Sequence, residues 1–214
     1  MAKSREQYIA ERSDDYDTDL TTFSLVDEKT VKRLVDDGDI ELPYKDLDKI
    51  KDKRWNTKQM SSKLLQGILN GDPVDKIAQS LIGIVSNNEA AAMRNARTMV
   101  TGAENRGRLD SYNELDEQGV IQKKVWIATP DDRTRESHLE IDGEEVDIGD
   151  KFTNGLNFPG DPSGDPSEVY NCRCTMVDRI VGFRRADGSI SYIDAERDTT
   201  THDAQIEKER EKRR

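Results

Sequence analysis

The 214-residue sequence has only two cysteines, Cys172 and Cys174, and a single residue separates them. Neighbours so close make a poor disulfide, and a reducing compartment would not favour one, so no structural disulfide is expected. Apolar residues are scarce as well. The chain is 33% hydrophobic and 36% charged, against roughly 45–50% and about 25% in average globular chains. Such a chain cannot place every segment in a packed core, and part of it is expected as loop, exposed helix or arms that order on a partner. No apolar run approaches the ~20 residues that span a bilayer. The opening residues MAKSREQYIAERSDD also lack the apolar core of a secretory signal. A chain made and kept in a cytoplasm is expected. Positive charge is short too, with a formal net charge of -11. That mean field disfavours broad DNA binding, although a mean says nothing of a local basic patch.

What is present divides by texture. Residues 1–55 are acidic and weakly periodic, and Val31, Leu34 and Val35 predict a short helix over 27–37 ending at Gly38. An acidic arm with short helices is expected there. From Thr57 the periodicity sharpens: Met60, Leu64, Leu65, Ile68 and Leu69 share one helical face, closed by Asn70-Gly71. Asp72 is placed to cap a second helix with Pro73 at its first position. Val74, Ile77, Ala78, Leu81, Ile82 and Val85 then follow at i, i+3, i+4 steps. Ser86 and Glu89 have capping-box spacing before a long third helix to Glu117. Its stripe is small (Ala92, Ala96, Met99, Val100, Ala103, Gly107), then Leu109, Tyr112 and Leu115. Residues 56–118 are therefore expected as a helical segment of three helices, one of them long. Gly102 and Gly107 each cost roughly 1 kcal/mol relative to alanine in a helix, so a kink or a close contact is expected at them.

After Gly119 the pattern turns to β. Val120–Ala128 and Thr175–Phe183 predict strands, and Asp187-Gly188 predicts a hairpin into Ser189–Ile193. Between the strands, 129–171 is rich in Gly, Pro, Asp and Ser, far longer than ordinary loops, and such loops are functional or held by something specific. Residues 119–198 are expected as a small β and loop-rich domain, and 199–214 as a charged, solvated tail, helical or disordered. The resulting fold class is α+β, an N-terminal helical segment followed by a small loop-rich antiparallel β region.

The residues with chemical potential concentrate in 129–175. His138 is one of two histidines, and with Cys172 and Cys174 it makes an incomplete zinc set whose fourth ligand would have to be Asp131, Asp132 or Asp142. A strong structural zinc pattern has two separated ligand pairs. The plainer expectation is therefore no cofactor, with His138 hydrogen-bonded in the loop and the cysteines as small core residues. A cysteine nucleophile with His138 as base lacks any visible oxyanion loop. Asp131-Asp132 has the chemistry of an acid/base or Mg²⁺ site, but after Pro130 a helix N-cap is the better expectation. The Phe158–Pro166 stretch lacks the Lys-Ser/Thr ending of a phosphate loop.

In order along the chain stand Ala96-Arg97-Thr98 in an alanine-rich helix, Trp126 in a strand, Asp131-Asp132-Arg133-Thr134-Arg135-Glu136-Ser137-His138, Ile141-Asp142-Gly143, a Pro-Gly-Asp-Pro stretch, and Asn171-Cys172-Arg173-Cys174. Each is weak alone; together over residues 70–180 the series resembles the minor head protein family of tailed phages, the Mu F-like head-morphogenesis proteins. The resemblance implies a structural virion protein rather than an enzyme, in the host cytoplasm during assembly and then in the head. Its implied partners are portal, capsid or scaffold proteins, with DNA delivery a role in some members. It marks Trp126, Asp132, Arg133, Arg135, His138, Asp142, Gly143, Asn171, Cys172, Arg173 and Cys174 as the structural motif. Some members carry Cys-x-x-Cys where this chain has Arg135 and His138, which with the Cys-x-Cys pair completes a zinc tetrad. Here Arg135 replaces the first cysteine. The loop is then expected to be held by Arg133 or Arg135 paired with Asp142 or Asp165, or by His138 hydrogen-bonded to the Cys172–Cys174 strand. The rival expectation is a metal-dependent hydrolase, nuclease or toxin-like module using His138, Asp131, Asp132 and the cysteine pair. A third is a DNA-binding ejection protein, against which the net charge stands.

Overall fold

Apolar residues at helical spacing build the first half. A computed structural model of the chain describes residues 57–85, 88–193 and 200–213; the arm expected over 1–55 lies outside the described residues. Helix α1 (Thr57–Leu69), α2 (Val74–Leu81) and the 29-residue α3 (Glu89–Glu117) come first. They bury Met60, Leu64, Ile77, Ala78, Leu81, Ala92, Ala96 and Met99 in one cluster. Small residues bring the axes together. A Cβ on Gly67 would stand 2.5 Å from Ile77 Cγ1, so only glycine lets α1 lie against α2 there. Leu69, expected on the buried face, is 57% exposed, because it is the last residue of α1 and the chain turns away through Gly71 at φ +68°.

Two caps differ from expectation. Pro73, not Asp72, stands at the N-cap of α2 in an extended conformation, and its carbonyl accepts from the Lys76 and Ile77 amides. The Asp72 carboxylate takes the Lys76 ammonium instead, at 2.6 Å. Asn88 caps α3: its Oδ1 accepts from the Ala91 amide at 3.0 Å, the three-residue reach that an N-cap requires. Ser86, expected in that role, lies outside the described residues.

The second half is a four-stranded antiparallel sheet in the order β2-β1-β3-β4. Its strands are β1 (Val120–Ile127), β2 (Glu145–Asp147), β3 (Thr175–Arg184) and β4 (Ile190–Tyr192). The fold is thus α+β, helices first and sheet second. Asp187-Gly188 turns β3 into β4, with Gly188 at φ +82°. The 129–171 stretch is less irregular than its composition predicts. It holds α4 (Glu136–Glu140), β2 and α5 (Pro166–Val169), elements too short for periodicity to reveal.

The charged tail is also not a solvated one. Residues Thr200–Arg213 form α6, and Ile206, 1% exposed, packs into the cluster of Trp126, Leu139, Phe152 and Leu156. Arg210 donates to the Leu139 carbonyl at 2.6 Å and Arg213 to the Asp131 carbonyl at 3.1 Å. One isoleucine and two long cationic stems are enough to dock a helix whose composition reads as surface. The halves meet along α3. A Cβ on Gly102 would stand 2.7 Å from the Gly160 carbonyl oxygen, so Gly102 marks a close backbone contact, whereas the space beside Gly107 is open.

A buried imidazole–thiol centre as the candidate functional site

The site is assembled from two segments. Short helix α4 carries His138, and the extended residues before β3 carry Cys172 and Cys174. That second segment is laid down along α3. Thr98 Oγ1 accepts from the Asn171 amide at 3.0 Å, and Thr101 Oγ1 donates to the Cys172 carbonyl at 2.9 Å. Asn105 donates to the Cys174 carbonyl at 3.3 Å and accepts from the Met176 amide at 3.1 Å. These polar residues recur at i, i+3 and i+7 on α3, so a single helix face sets the strand's position. Asn171 turns the chain at φ +58°, a conformation that asparagine tolerates better than other non-glycine residues.

His138, Cys172 and Cys174 are 1%, 1% and 3% exposed. His138 Nδ1 lies 3.4 Å from Cys174 Sγ and 3.8 Å from Cys172 Sγ. The ring packs edge-on against Trp126, with centroids 5.0 Å apart. On its other side Nε2 lies 3.0 Å from Glu168 Oε2, within ion-pair range yet off the axis of a hydrogen bond. Ser137 Oγ holds the same carboxylate oxygen at 2.8 Å. The Cys174 pKa is pulled down to about 5, first by the hydrogen bond from Cys172 and then by His138. Cys172 is pushed well up by giving that bond and by burial.

This donor set has the dimensions of a metal centre. Zn–S near 2.3 Å and Zn–N near 2.0 Å in a tetrahedron imply sulfur–nitrogen edges of about 3.5 Å, close to the two distances observed. Among the described residues the group of candidate ligands contains His138, Cys172 and Cys174 and no fourth member. Asp142, expected as a fourth ligand, is committed elsewhere: its Oδ1 accepts from the Ala128 amide at 2.7 Å and lies 2.9 Å from His202 Nε2. Asp131 is likewise committed, and Asp132 is exposed.

Of the ways expected to hold the loop, the contact of His138 with the cysteine segment is present and the arginine–aspartate pairings are not. Arg133 is 72% exposed and reaches Asp131, at 3.5 Å. Arg135 Nη2 donates to the Tyr170 carbonyl. Asp165 caps α5 by accepting from the Ser167 amide at 2.8 Å. The ion pair that does form is Arg173 with Asp131, Nη2 to Oδ1 at 2.6 Å. Nor is Asp131 or Asp132 a helix N-cap. Arg135 occupies that position in α4, and Asp131 closes a local turn by accepting from the Arg133 amide at 3.0 Å. Gly143, at φ +80°, donates its amide to the Trp126 carbonyl at 2.9 Å. The sequence reasoning missed Glu168, His202, Lys124 and the Thr98–Thr101–Asn105 face. The last had a signal: polar residues at helical spacing beside the apolar stripe. Lys124, 1% exposed, donates to the Asn157 carbonyl at 2.8 Å and lies over Phe152 at 5.3 Å.

Comparison with known proteins places the chain in a family. A family model described as Phage Mu protein F like protein matches residues 58–177, more than half of the chain, and the chain belongs to that family. It is 32% identical over 126 residues to NAD(+)--arginine ADP-ribosyltransferase EFV of Enterococcus faecalis (strain ATCC 700802 / V583), an alignment covering 58% of this chain and 26% of that protein. It is 29% identical over 140 residues to Minor head protein GP7 of Bacillus phage SPP1, covering 61% of this chain and 45% of that one. The chain thus spans less than half the length of either relative. No solved structure matches it.

Proposed function

We propose that the chain is a structural minor head protein of a tailed bacteriophage, acting in head morphogenesis through surfaces that meet portal, capsid or scaffold proteins and travelling in the virion head. Family membership and the likeness to a minor head protein support this. The observation that carries the structural side of it is burial: the groups with the most chemical potential, His138, Cys172 and Cys174, are each 3% exposed or less. A hydrolase or toxin-like use of that centre needs a face open to substrate, and burial argues against one. The partial likeness to an ADP-ribosyltransferase covers 26% of that protein, and its activity is not carried over.

In this reading the centre is a fastener between α4 and the start of β3. Where a zinc-class ion is bound, His138 Nδ1 and the sulfurs of Cys172 and Cys174 hold it, and it supplies a cross-link between those two segments. Glu168 stands beside the far nitrogen at 3.0 Å, on the side from which outer carboxylates approach metal-bound histidines. The protein groups fasten the cysteine segment directly: His138 joins it to α4, and Thr129 Oγ1, just after β1, donates to the Arg173 carbonyl at 2.7 Å. The test is quantitative mass spectrometry of purified heads from the phage that encodes the chain, with and without its gene. The chain in purified heads, and defective heads without it, is the expected result. Its absence from heads, with normal heads in the deletion, refutes the proposal.

A further inference from the structure

One residue before Cys172, where the first turns of α3 meet Asn171, lies an open cavity of about 500 Å³. Ala90, Ala91 and Met93 form an apolar wall, and Arg94, Arg97 and Asn171 bring polar groups to it. Arg97 Nη1 donates to Asn171 Oδ1 at 3.3 Å, which joins the Ala96-Arg97-Thr98 and Asn171-Cys172-Arg173-Cys174 elements of the motif. Arg94 lies over the Tyr170 ring at 5.1 Å, and its buried Nε has no hydrogen-bond partner. Arg106, Arg173 and Arg179 are each ion-paired with a carboxylate. Arg94 and Arg97 have no carboxylate partner among the described residues. In a chain of net charge -11, two cations left facing one cavity are a local departure from the mean field.

We propose that this cavity receives the carboxylate of an acidic residue from a protein partner. Two guanidinium groups fork onto a carboxylate or a phosphate alike, so the surroundings decide between them. A cavity of this size suits one or two side chains, and the alanine and methionine wall packs against their methylenes. A nucleic-acid strand would run beyond the cavity over a surface whose overall charge repels it. A single carboxylate meets only the local pair. The site lies on α3 and the segment after α5, apart from the His138–Cys172–Cys174 ligand atoms, and its occupancy does not depend on whether the chain is a head protein.

The test uses the full chain at low salt, with a labelled alanine-serine peptide carrying a single glutamate and a labelled DNA duplex titrated in parallel and read by fluorescence anisotropy. The peptide is expected to bind, and Arg94→Gln with Arg97→Gln to weaken it by about tenfold or more, the scale of lost charge-assisted bonds. Ala90→Glu is the second variant. It sits at an exposed position in the first turn of α3, where a carboxylate suits the helix, and it offers the arginines an internal competitor. It too is expected to weaken the peptide while leaving the thermal melt intact. Three outcomes overturn the proposal: no peptide binding, binding unchanged in both variants, or a duplex that binds more tightly than the peptide and is lost in the same variants.

Discussion

Between Met60 and Ala103 the main core is Met, Leu, Ile, Val and Ala in one cluster, with Ala92, Ala96, Leu64 and Leu81 all fully buried in it. Around Trp126 the core is of another kind. Phe152, Leu156 and Val169 share it with His138, Cys172 and Cys174, and the nearby interior also takes in Lys124, Thr134 and Asp161. Dispersion and apolar burial have no direction, so the helical cluster can exchange side chains of equal volume at little cost. The polar centre cannot, because its polar contacts are directional, and an orphaned buried group costs more than the bond it made. The lesson is that the two halves fail differently when altered.

The largest expected effect sets the centre itself against the helices. Where the purified chain carries zinc, chelation is expected to unfold the β half while the helical signal in circular dichroism persists. Structural zinc contributes on the order of 10 kcal/mol to small folds. A metal-free chain whose melt ignores chelation would leave the centre to hydrogen bonds alone. Next, Trp126→Ala removes a fully buried ring that touches His138 and Phe152, at an expected cost of about 3–5 kcal/mol. Leu64→Met in the helical cluster is expected to cost less than about 1.5 kcal/mol. Equal costs in urea denaturation would erase the distinction between the halves.

Ile206→Ala tests whether α6 belongs to the β half. Its burial predicts a loss of about 2–5 kcal/mol, whereas a solvated tail would show almost none. Smaller again is a pair of glycines on one helix. Gly102→Ala must push the Gly160 carbonyl away and is expected to destabilise by about 1–3 kcal/mol. Gly107→Ala meets open space and should gain roughly 1 kcal/mol in helix propensity.

The smallest effect is in acid. The Arg173 guanidinium holds the Asp131 carboxyl well below the usual carboxylate range. A depressed pKa means the folded state binds this proton less readily than the unfolded state. Its stabilisation is fully present above about pH 4 and fades as the pH falls below that. Arg173→Gln should flatten that acid limb in a pH series of melts, and an unchanged limb would show that the pair is only a surface contact.

The degree of legibility follows from the same comparison. The helices over 57–117, the strands at Val120 and Thr175 and the Asp187-Gly188 hairpin were readable because one repeat or one turn dipeptide specifies each. Caps were less so: Asp72 has cap chemistry, yet Pro73 stands at the N-cap of α2 without a side-chain cap bond, and Asn88 caps α3. At the site, spacing identified His138, Cys172 and Cys174 as the chemistry-bearing set, but Asp142 was placed with the wrong partner. Its proximity to Ala128 and His202 depends on how β1 and α6 lie in space.

By itself, then, the sequence determined what is local: helix and strand periodicity, the α+β order, and the motif series that marks the family. Tertiary structure alone decided that α6 seals the Trp126 core, that Glu168 stands beside His138, and that Arg94 and Arg97 face one cavity. Those outcomes join residues 30 to more than 70 positions apart, where neither spacing nor propensity acts. They are set by which buried groups must find partners once water is gone.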